Sequence, residues 1–207
     1  MAPTPYVYER QVEYWTSRQM EGFFLDSGFE LLTLPITQLT EHGVPADFLY
    51  LEKNTNKLFG LQFKALYRNG SDRWNLEPRQ HETLSSFDWM YYGLSDLKGA
   101  SQHRNALYYL RVVPARFKFR SELSVAQWSQ RDMPPYFRWA AFFDNVCRCK
   151  LGRRIQSAKD LQLALWPHTN RMAPREILEI AHEVFLANFE AKRGVRFSSQ
   201  LNPEAAG

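Results

Sequence analysis

The clearest alternation of hydrophobic and polar positions lies between residues 45 and 67, and it predicts a β-hairpin. The segment from Ala46 to Leu51 is apolar apart from one acidic residue near its start. The segment from Leu58 to Ala65 alternates, so that its apolar residues share one face of a strand. These residues are Phe59, Leu61, Phe63 and Ala65. Residues 53–56, Lys-Asn-Thr-Asn, are turn formers and would join the two strands.

The length of this turn decides which residues of the hairpin face each other. Directly opposed residues of an antiparallel pair have a constant sum of positions, and they share a face. A two- or four-residue loop centred between Asn54 and Thr55 gives a sum of 109, which pairs Asp47 with Gln62 and puts Lys64 on the same face. A three-residue loop would change the parity and separate these groups. The even loop predicts a carboxylate, an amide and an ammonium together at one edge of a sheet.

Upstream of the hairpin, the apolar spacing predicts a helix from Tyr6 to Ser27 that stops at Gly28. A strand is predicted from Glu30 to Leu34. Polar residues recur at every fourth position of the helix and form one stripe. The stripe consists of Glu9, Glu13, Ser17 and Glu21.

Downstream of the hairpin, Pro78 is expected to begin a second helix. The apolar run over residues 105–113 predicts a central strand buried on both faces, with residues 93–104 as a connection to it. The second helix would present one face that combines one polar and three apolar side chains. These are Gln80, Leu84, Phe87 and Tyr91.

The C-terminal part of the chain has a helical pattern. Helices are predicted over residues 136–150, from Ser157 to Trp166, with Ser157 as the N-cap, and from Pro174 to Gly194. We therefore divide the chain into a core, residues 1–120, and a helical extension packed on it, residues 121–207.

Charge is unevenly distributed along the 207 residues, whose formal net charge is +4. Residues 1–97 contain 8 Lys and Arg against 13 Asp and Glu, whereas residues 98–207 contain 18 against 9. This asymmetry is typical of proteins with polyanionic partners, although solvated basic helix faces account for it equally well.

The N-terminal region lacks the basic start and the apolar stretch of a secretion signal, and no apolar run has the length needed to cross a bilayer. The two cysteines, Cys147 and Cys149, are too few for a disulfide framework or a complete zinc site. We expect a cytoplasmic protein that makes no contact with a membrane.

The hairpin carries Pro45-Ala46-Asp47 on its first strand and Gln62-Phe63-Lys64 on its second. This pattern, preceded by a helix and a strand and followed by a helix and a buried strand, resembles the PD-(D/E)XK nuclease superfamily over roughly residues 6–113. The resemblance implies an α/β restriction-endonuclease-like core, in which helices flank a mixed central sheet. Gln62 stands where the superfamily more often has an acid.

The resemblance also implies a Mg²⁺- or Mn²⁺-dependent endonuclease that cuts DNA, with a role in host defence, restriction or mobile-element processing. Asp47, the Gln62 amide oxygen and the Phe63 carbonyl would hold the metal ion, and Lys64 would assist catalysis. A glutamate of the first helix would complete the site. Glu21 is the first choice, because it is expected to be closest to the sheet, and Glu13 is the second.

Polar and basic residues outside the motif would bind nucleic acid, which is expected to be double-stranded DNA. Alternating cations and aromatics at 116–120 suit a groove that follows a phosphate backbone, and equally a charged edge strand. The partner assembly would be a homodimer or a larger complex. The expected contact residues are Gln80, Arg116, Lys118, Arg120, Arg148, Lys150, Arg153 and Arg154.

Two alternatives remain open on the sequence. In the first, a protein of the same fold is catalytically inactive, because Gln62 has replaced an acid, and it serves as a nucleic-acid-binding or assembly subunit. In the second, the chain is an unrelated α+β domain, and Asp47 and Lys64 point to different faces.

Overall fold

The computed structural model describes residues 4–36, 46–68, 72–116, 127–129 and 133–165, and these form a mixed α/β protein. The described helices are α1 (Glu9–Asp26), α2 (Pro78–Ser85), α3 (Trp139–Cys147) and α4 (Ala158–Leu165), with a 3₁₀ helix at Ala100–Asn105. The strands are β1 (Thr4–Pro5), β2 (Leu31–Pro35), β3 (Phe48–Glu52), β4 (Lys57–Lys64), β5 (Leu66–Arg68), β6 (Arg73–Asn75), β7 (Met90–Ser95), β8 (Leu110–Pro114), β9 (Gln127–Ser129), β10 (Phe137–Arg138) and β11 (Arg153–Arg154).

The main sheet is mixed and has the strand order β10-β8-β7-β4-β3-β2, with β11 paired to the beginning of β4. Strands β4 and β7 run parallel, and the other neighbours are antiparallel. The connection between β4 and β7 passes through α2, as a crossover between parallel strands requires. All eight residues of β4 are buried, because this strand lies in the middle of the sheet.

A second, smaller sheet has the order β1-β5-β6-β9 and is antiparallel throughout. Its strand β5 follows β4 with only Ala65 between them. Because of this short link, the smaller sheet begins at the end of β4 that carries Lys64.

Hydrophobic side chains cover both faces of the main sheet. On one face, α1 and α3 pack on the hairpin, where the ring of Phe142 lies 5.3 Å from that of Phe59 and 5.0 Å from that of Tyr91. The other face is covered by α2 and the smaller sheet, and the buried residues there include Trp74, Leu84, Trp89 and Trp128.

The first helix is confirmed, and its C-terminus has the hydrogen bonds of a Schellman motif. Gly28 has a φ of +80°, its N–H donates to the carbonyl of Leu25, and the N–H of Phe29 donates to that of Phe24. Helix α4 also begins as predicted, because the N–H of Asp160 donates to the hydroxyl of Ser157 at 3.1 Å.

The second helix is shorter than the sequence predicts. Helix α2 ends at Ser85, so Phe87 lies beyond it, and Tyr91 lies in strand β7, which is buried along its whole length. Tyr91 therefore belongs to the sheet and not to the helix. The sequence Met-Tyr-Tyr-Gly-Leu in β7 lacks an alternating pattern because both faces of this strand are covered.

The division of the chain after residue 120 separates elements that the structure joins. Strands β10 and β11 and helix α3 lie beyond that position, yet β10 pairs with β8 and β11 pairs with β4. The predicted helix from Pro174 to Gly194 lies outside the described residues, and so does the predicted edge strand at 116–120 except for Arg116.

Candidate active site

The register of the β3–β4 hairpin is the one predicted from an even loop. Phe48 faces Leu61 and Glu52 faces Lys57, so opposed positions sum to 109 and four residues form the loop. The register brings Asp47, just before β3, level with Gln62 on β4. The prediction that these two side chains meet is confirmed by a hydrogen bond between them.

A buried carboxylate fixes the length of the loop. Glu52 is fully buried and accepts hydrogen bonds from the N–H groups of Asn54 (2.6 Å) and Thr55 (2.7 Å) and from the Thr55 hydroxyl. Asn56 completes the turn with a φ of +57°, which asparagine tolerates well. The sequence analysis did not single out Glu52, although an acid directly before a run of turn formers is a recognisable anchor.

Asp47 is held by two donors from β4. The Gln62 Nε2 donates to Asp47 Oδ1 at 2.8 Å, and the Phe63 N–H donates to Asp47 Oδ2 at 2.6 Å. The Asp47 N–H in turn donates to the carbonyl of Leu61 at 3.1 Å. These bonds fix the carboxyl group against the strand, and they leave the buried Gln62 Oε1 without a hydrogen-bond partner.

Lys64 forms an ion pair with the first residue of α1. Its Nζ lies 3.0 Å from Glu9 Oε1, and the other carboxylate oxygen of Glu9 accepts a 3.4 Å hydrogen bond from the N–H of Ala65. The Lys64 side chain is 11% exposed and that of Glu9 is 31% exposed, so solvent reaches the cluster from the side of Glu9.

The electrostatics of the cluster keep a proton on Asp47. Burial and the negative charges of Glu13 and Glu9 outweigh the Lys64 ammonium and the Phe63 N–H, and they raise the pKa of Asp47 from 3.8 to about 8. Three acidic groups therefore face a single ammonium in this part of the molecule. A second cation would relieve the excess of negative charge.

The helix glutamates are placed differently from the expected order. Glu9 binds Lys64, and the negative charge of Glu13 raises the pKa of Asp47. Glu21, in contrast, is exposed on the surface of α1. Between them, Ser17 is hydrogen-bonded to the hydroxyl of Tyr50 at 2.7 Å, which anchors the middle of the helix to β3. Twelve residues separate Glu21 from Glu9, or roughly 18 Å along a helix, because each residue rises about 1.5 Å.

The predicted basic contacts lie elsewhere. Arg153 faces Leu58 at the start of β4, six residues from Lys64, and this places β11 roughly 20 Å away along the strand at about 3.3 Å per residue. Arg148 is paired with Asp144 at 2.7 Å, and Lys150 and Arg154 are exposed.

The remaining predicted contacts are described only in part. Arg116 is exposed and Gln80 is half-buried near the start of α2, whereas Lys118 and Arg120 lie outside the described residues.

The sequence analysis does not single out His81, and the structure shows that this residue is buried. It is 7% exposed, and its Nδ1 lies 3.1 Å from the hydroxyl of Tyr92, which faces Gln62 across the β4–β7 pair. His81 rather than Gln80 thus points toward the sheet. Helical periodicity alone does not reveal this orientation.

The oxygen atoms at this site suit a hard divalent cation if the amide oxygen of Gln62 is counted as a ligand. Among the residues that the structure describes, no group of three or more His, Cys, Asp and Glu side chains is placed to hold a metal ion. Asp47, with Glu13 as the neighbouring acid, supplies carboxylate oxygens, and the buried Gln62 Oε1 is an oxygen without a partner. Carboxylate and amide oxygens are the ligands that Mg²⁺ and Mn²⁺ accept.

Comparisons of the chain with protein-family models, with curated proteins and with solved structures found no match. Within the described parts of the chain, none of the helices combines the length and the apolar character that a membrane span needs.

Proposed function

We propose that the protein is a metal-dependent nuclease with a restriction-endonuclease-like core, and that it hydrolyses phosphodiester bonds in DNA. The observation that carries the proposal is the hairpin register, which joins Asp47 to Gln62 and sets Lys64 two residues further along β4. The order α1, β2, the β3–β4 hairpin and α2 supports the proposal, with strands β5 and β6 lying between the hairpin and α2.

The elevated pKa of Asp47 supports a cation as part of the site. Burial is the main reason that Asp47 keeps its proton near neutral pH, and the negative charges of Glu13 and Glu9 add to it. A divalent ion would compensate the part that comes from these charges. Asp47, Gln62 and Glu13 would hold the ion, with the Phe63 carbonyl as a further ligand. Bound there, Mg²⁺ would polarise the phosphate and lower the pKa of a water molecule.

The protein's own groups would position the reactants. The Phe63 N–H and the Gln62 amide hold the Asp47 carboxyl against β4. Lys64 would exchange its contact with Glu9 for the phosphate oxygens, where an ammonium stabilises the negative charge that develops in the transition state.

Plasmid cleavage tests the proposal. With Mg²⁺ or Mn²⁺ present, we expect the wild type to nick or linearise DNA, and Asp47→Ala and Lys64→Ala each to lose on the order of 100-fold or more in rate. Lys53→Ala is the matched control, because Lys53 lies on the same hairpin at its far end, in a solvent-exposed pair with Glu30. Equal cleavage by all four proteins would reveal a contaminant and remove the enzyme hypothesis.

The helix glutamates provide a second test at the same site. Glu13→Gln is expected to weaken Mg²⁺ binding, because it removes the charge that acts most strongly on Asp47, whereas Glu21→Gln should leave binding unchanged. Calorimetric titration of each variant with Mg²⁺ measures the difference. A larger loss with Glu21→Gln would contradict this assignment of the third ligand.

A binding or assembly protein of the same fold, without catalysis, is the second candidate. One observation favours it: the Gln62 amide donates to Asp47 and the Lys64 ammonium pairs with Glu9, so both groups already have partners within the protein. Retention of DNA binding, together with no Mg²⁺ binding and no cleavage, would select this candidate.

A further inference from the structure

The solvent-facing side of α1 is basic toward its N-terminus and acidic toward its C-terminus. Glu9 does not belong to this side, because it is half-buried and pairs with Lys64. Glu13 is also half-buried, and its charge acts on Asp47. The basic part of the exposed side therefore adjoins the proposed active site. The exposed charged residues of the helix, in order along the chain, are Arg10, Arg18, Glu21 and Asp26.

The two arginines of this side are available to a ligand. In the described part of the chain, neither of them forms an ion pair with a carboxylate. The Arg18 Nη1 donates to the hydroxyl of Tyr14 at 3.0 Å, and Tyr14 is itself exposed. This neutral partner holds the guanidinium beside the preceding turn of the helix, on the side of the active site, without cancelling its charge.

Arg10 lies among the acids of the proposed active site. It follows Glu9 directly and precedes Glu13 by three residues, and side chains three positions apart are neighbours on the surface of a helix. Its charge therefore offsets part of the negative potential that would repel a phosphate from the site.

The 3₁₀ helix extends the basic surface to one side of α1. Gln19 joins the two helices, since its Nε2 donates to the carbonyl of His103 at 2.5 Å and its Oε1 accepts from the N–H of Leu107 at 3.2 Å. The ring of Trp15 lies 5.5 Å from that of His103. These contacts hold the exposed Arg104 beside α1, and the 3₁₀ helix contains no acidic residue.

The surface is close enough to the proposed active site for one DNA duplex to reach both. Arg18 lies nine residues after Glu9, the partner of Lys64, which is roughly 14 Å along a helix at about 1.5 Å per residue. One turn of a duplex measures about 34 Å. A duplex bound at Lys64 therefore needs less than half a turn to contact Arg10 and Arg18.

We propose that Arg10, Arg18 and Arg104 bind the phosphate backbone of duplex DNA and hold it across the N-terminal part of α1, next to the site of cleavage. This inference rests on the proposed function and specifies the surface that its substrate uses. Guanidinium groups bind phosphates, and such contacts position DNA without reading its sequence. Repulsion by Glu21 and Asp26 would keep the backbone away from the C-terminal part of the helix.

Fluorescence anisotropy with a labelled duplex tests the inference. The titrations use EDTA, so that no cleavage occurs, and several salt concentrations. We expect Arg18→Ala and Arg104→Ala each to weaken binding and to reduce its salt slope by about 0.9, because each variant removes one phosphate contact. Since both side chains are exposed, both variants should unfold at the urea concentration that unfolds the wild type.

Arg154→Ala is the matched control and should leave duplex binding unchanged. This arginine is exposed as well, but it lies on β11, roughly 20 Å from Lys64 along β4 at about 3.3 Å per residue.

An equal loss of binding in Arg154→Ala, or unchanged salt slopes in Arg18→Ala and Arg104→Ala, would overturn the inference. A wild type that binds the duplex in the expected pattern but never cleaves it with Mg²⁺ would refute the proposed function alone. Cleavage of the duplex at equal rates by the wild type and by both surface variants, with equal affinities, would refute the inference alone.

Discussion

At the scale of single residues, the carboxyl group of Asp47 is the most informative feature of the protein. It accepts two hydrogen bonds from β4, and burial, followed by the charges of Glu13 and Glu9, raises its pKa to about 8. Such a group is held in place by the fold while its charge is opposed by its neighbours. This combination is typical of functional sites, where residues arranged for function lower the stability of the fold.

Asp47→Asn should stabilise the protein, and more so at higher pH. The folded state keeps the Asp47 proton up to about pH 8, whereas an unfolded aspartate loses it near 3.8. Between these values the folded state binds more protons, so the contribution of this residue to stability falls as the pH rises. An asparagine has no such dependence, and its amide could donate to the free Gln62 Oε1 after Gln62 turns over.

Urea unfolding at pH 5 and pH 8 measures this effect. The advantage of Asp47→Asn over the wild type should be larger at pH 8. Asp72→Asn is the control of opposite sign. Hydrogen bonds from Lys98 and Tyr6 lower the pKa of Asp72, so this group is ionised at both pH values, and the variant should lose the same stability at each. An advantage of Asp47→Asn that does not change with pH would contradict the assigned environment.

At the scale of elements, the β3–β4 hairpin positions the site, and the Glu52 carboxylate controls the hairpin. The three donors that Glu52 binds in the loop set a four-residue turn, and the turn sets the parity of the register. A slip of one residue would move Gln62 away from Asp47. A residue at the opposite end of the strands thus determines the geometry of the site.

Glu52→Gln is expected to lower the free energy of unfolding by about 2 kcal/mol, because one buried acceptor is replaced and a donor is left without a partner. Glu30→Gln is the matched control. Its carboxylate forms a solvent-exposed pair with Lys53 near the same loop, and its loss should cost about 0.5 kcal/mol or less. Equal effects of the two variants in urea unfolding would show that Glu52 does not anchor the loop.

At the scale of the whole molecule, the described residues on both sides of position 120 form one core. Phe142 of α3 packs on Phe59 and Tyr91, and β10 and β11 complete the main sheet. A fragment of residues 1–120 would lack these elements and would expose the apolar face of the hairpin to water.

We therefore expect the fragment 1–120 to show no cooperative unfolding transition by circular dichroism, in contrast to the full chain. A cooperative transition in the fragment, with dispersed amide resonances, would restore the boundary that the sequence suggested.

The sequence by itself determined the local geometry of the hairpin and of α1. Asp47 and Gln62 are only fifteen positions apart, and the turn composition between them restricts the register to a few choices. Gly28 likewise ends α1 because a left-handed residue is required there. Features of this kind depend on neighbours along the chain, so periodicity and turn chemistry are sufficient to predict them.

Only the tertiary structure decided which helix glutamates reach the site, that β7 is a strand, and that residues 137–138 and 153–154 join the main sheet. The placement of α1 depends on the packing of Phe24 near Phe59 and on the bond between Ser17 and Tyr50. Such contacts join residues more than thirty positions apart. Helical periodicity defines the face that a helix buries, but it does not define how far along the sheet the helix lies.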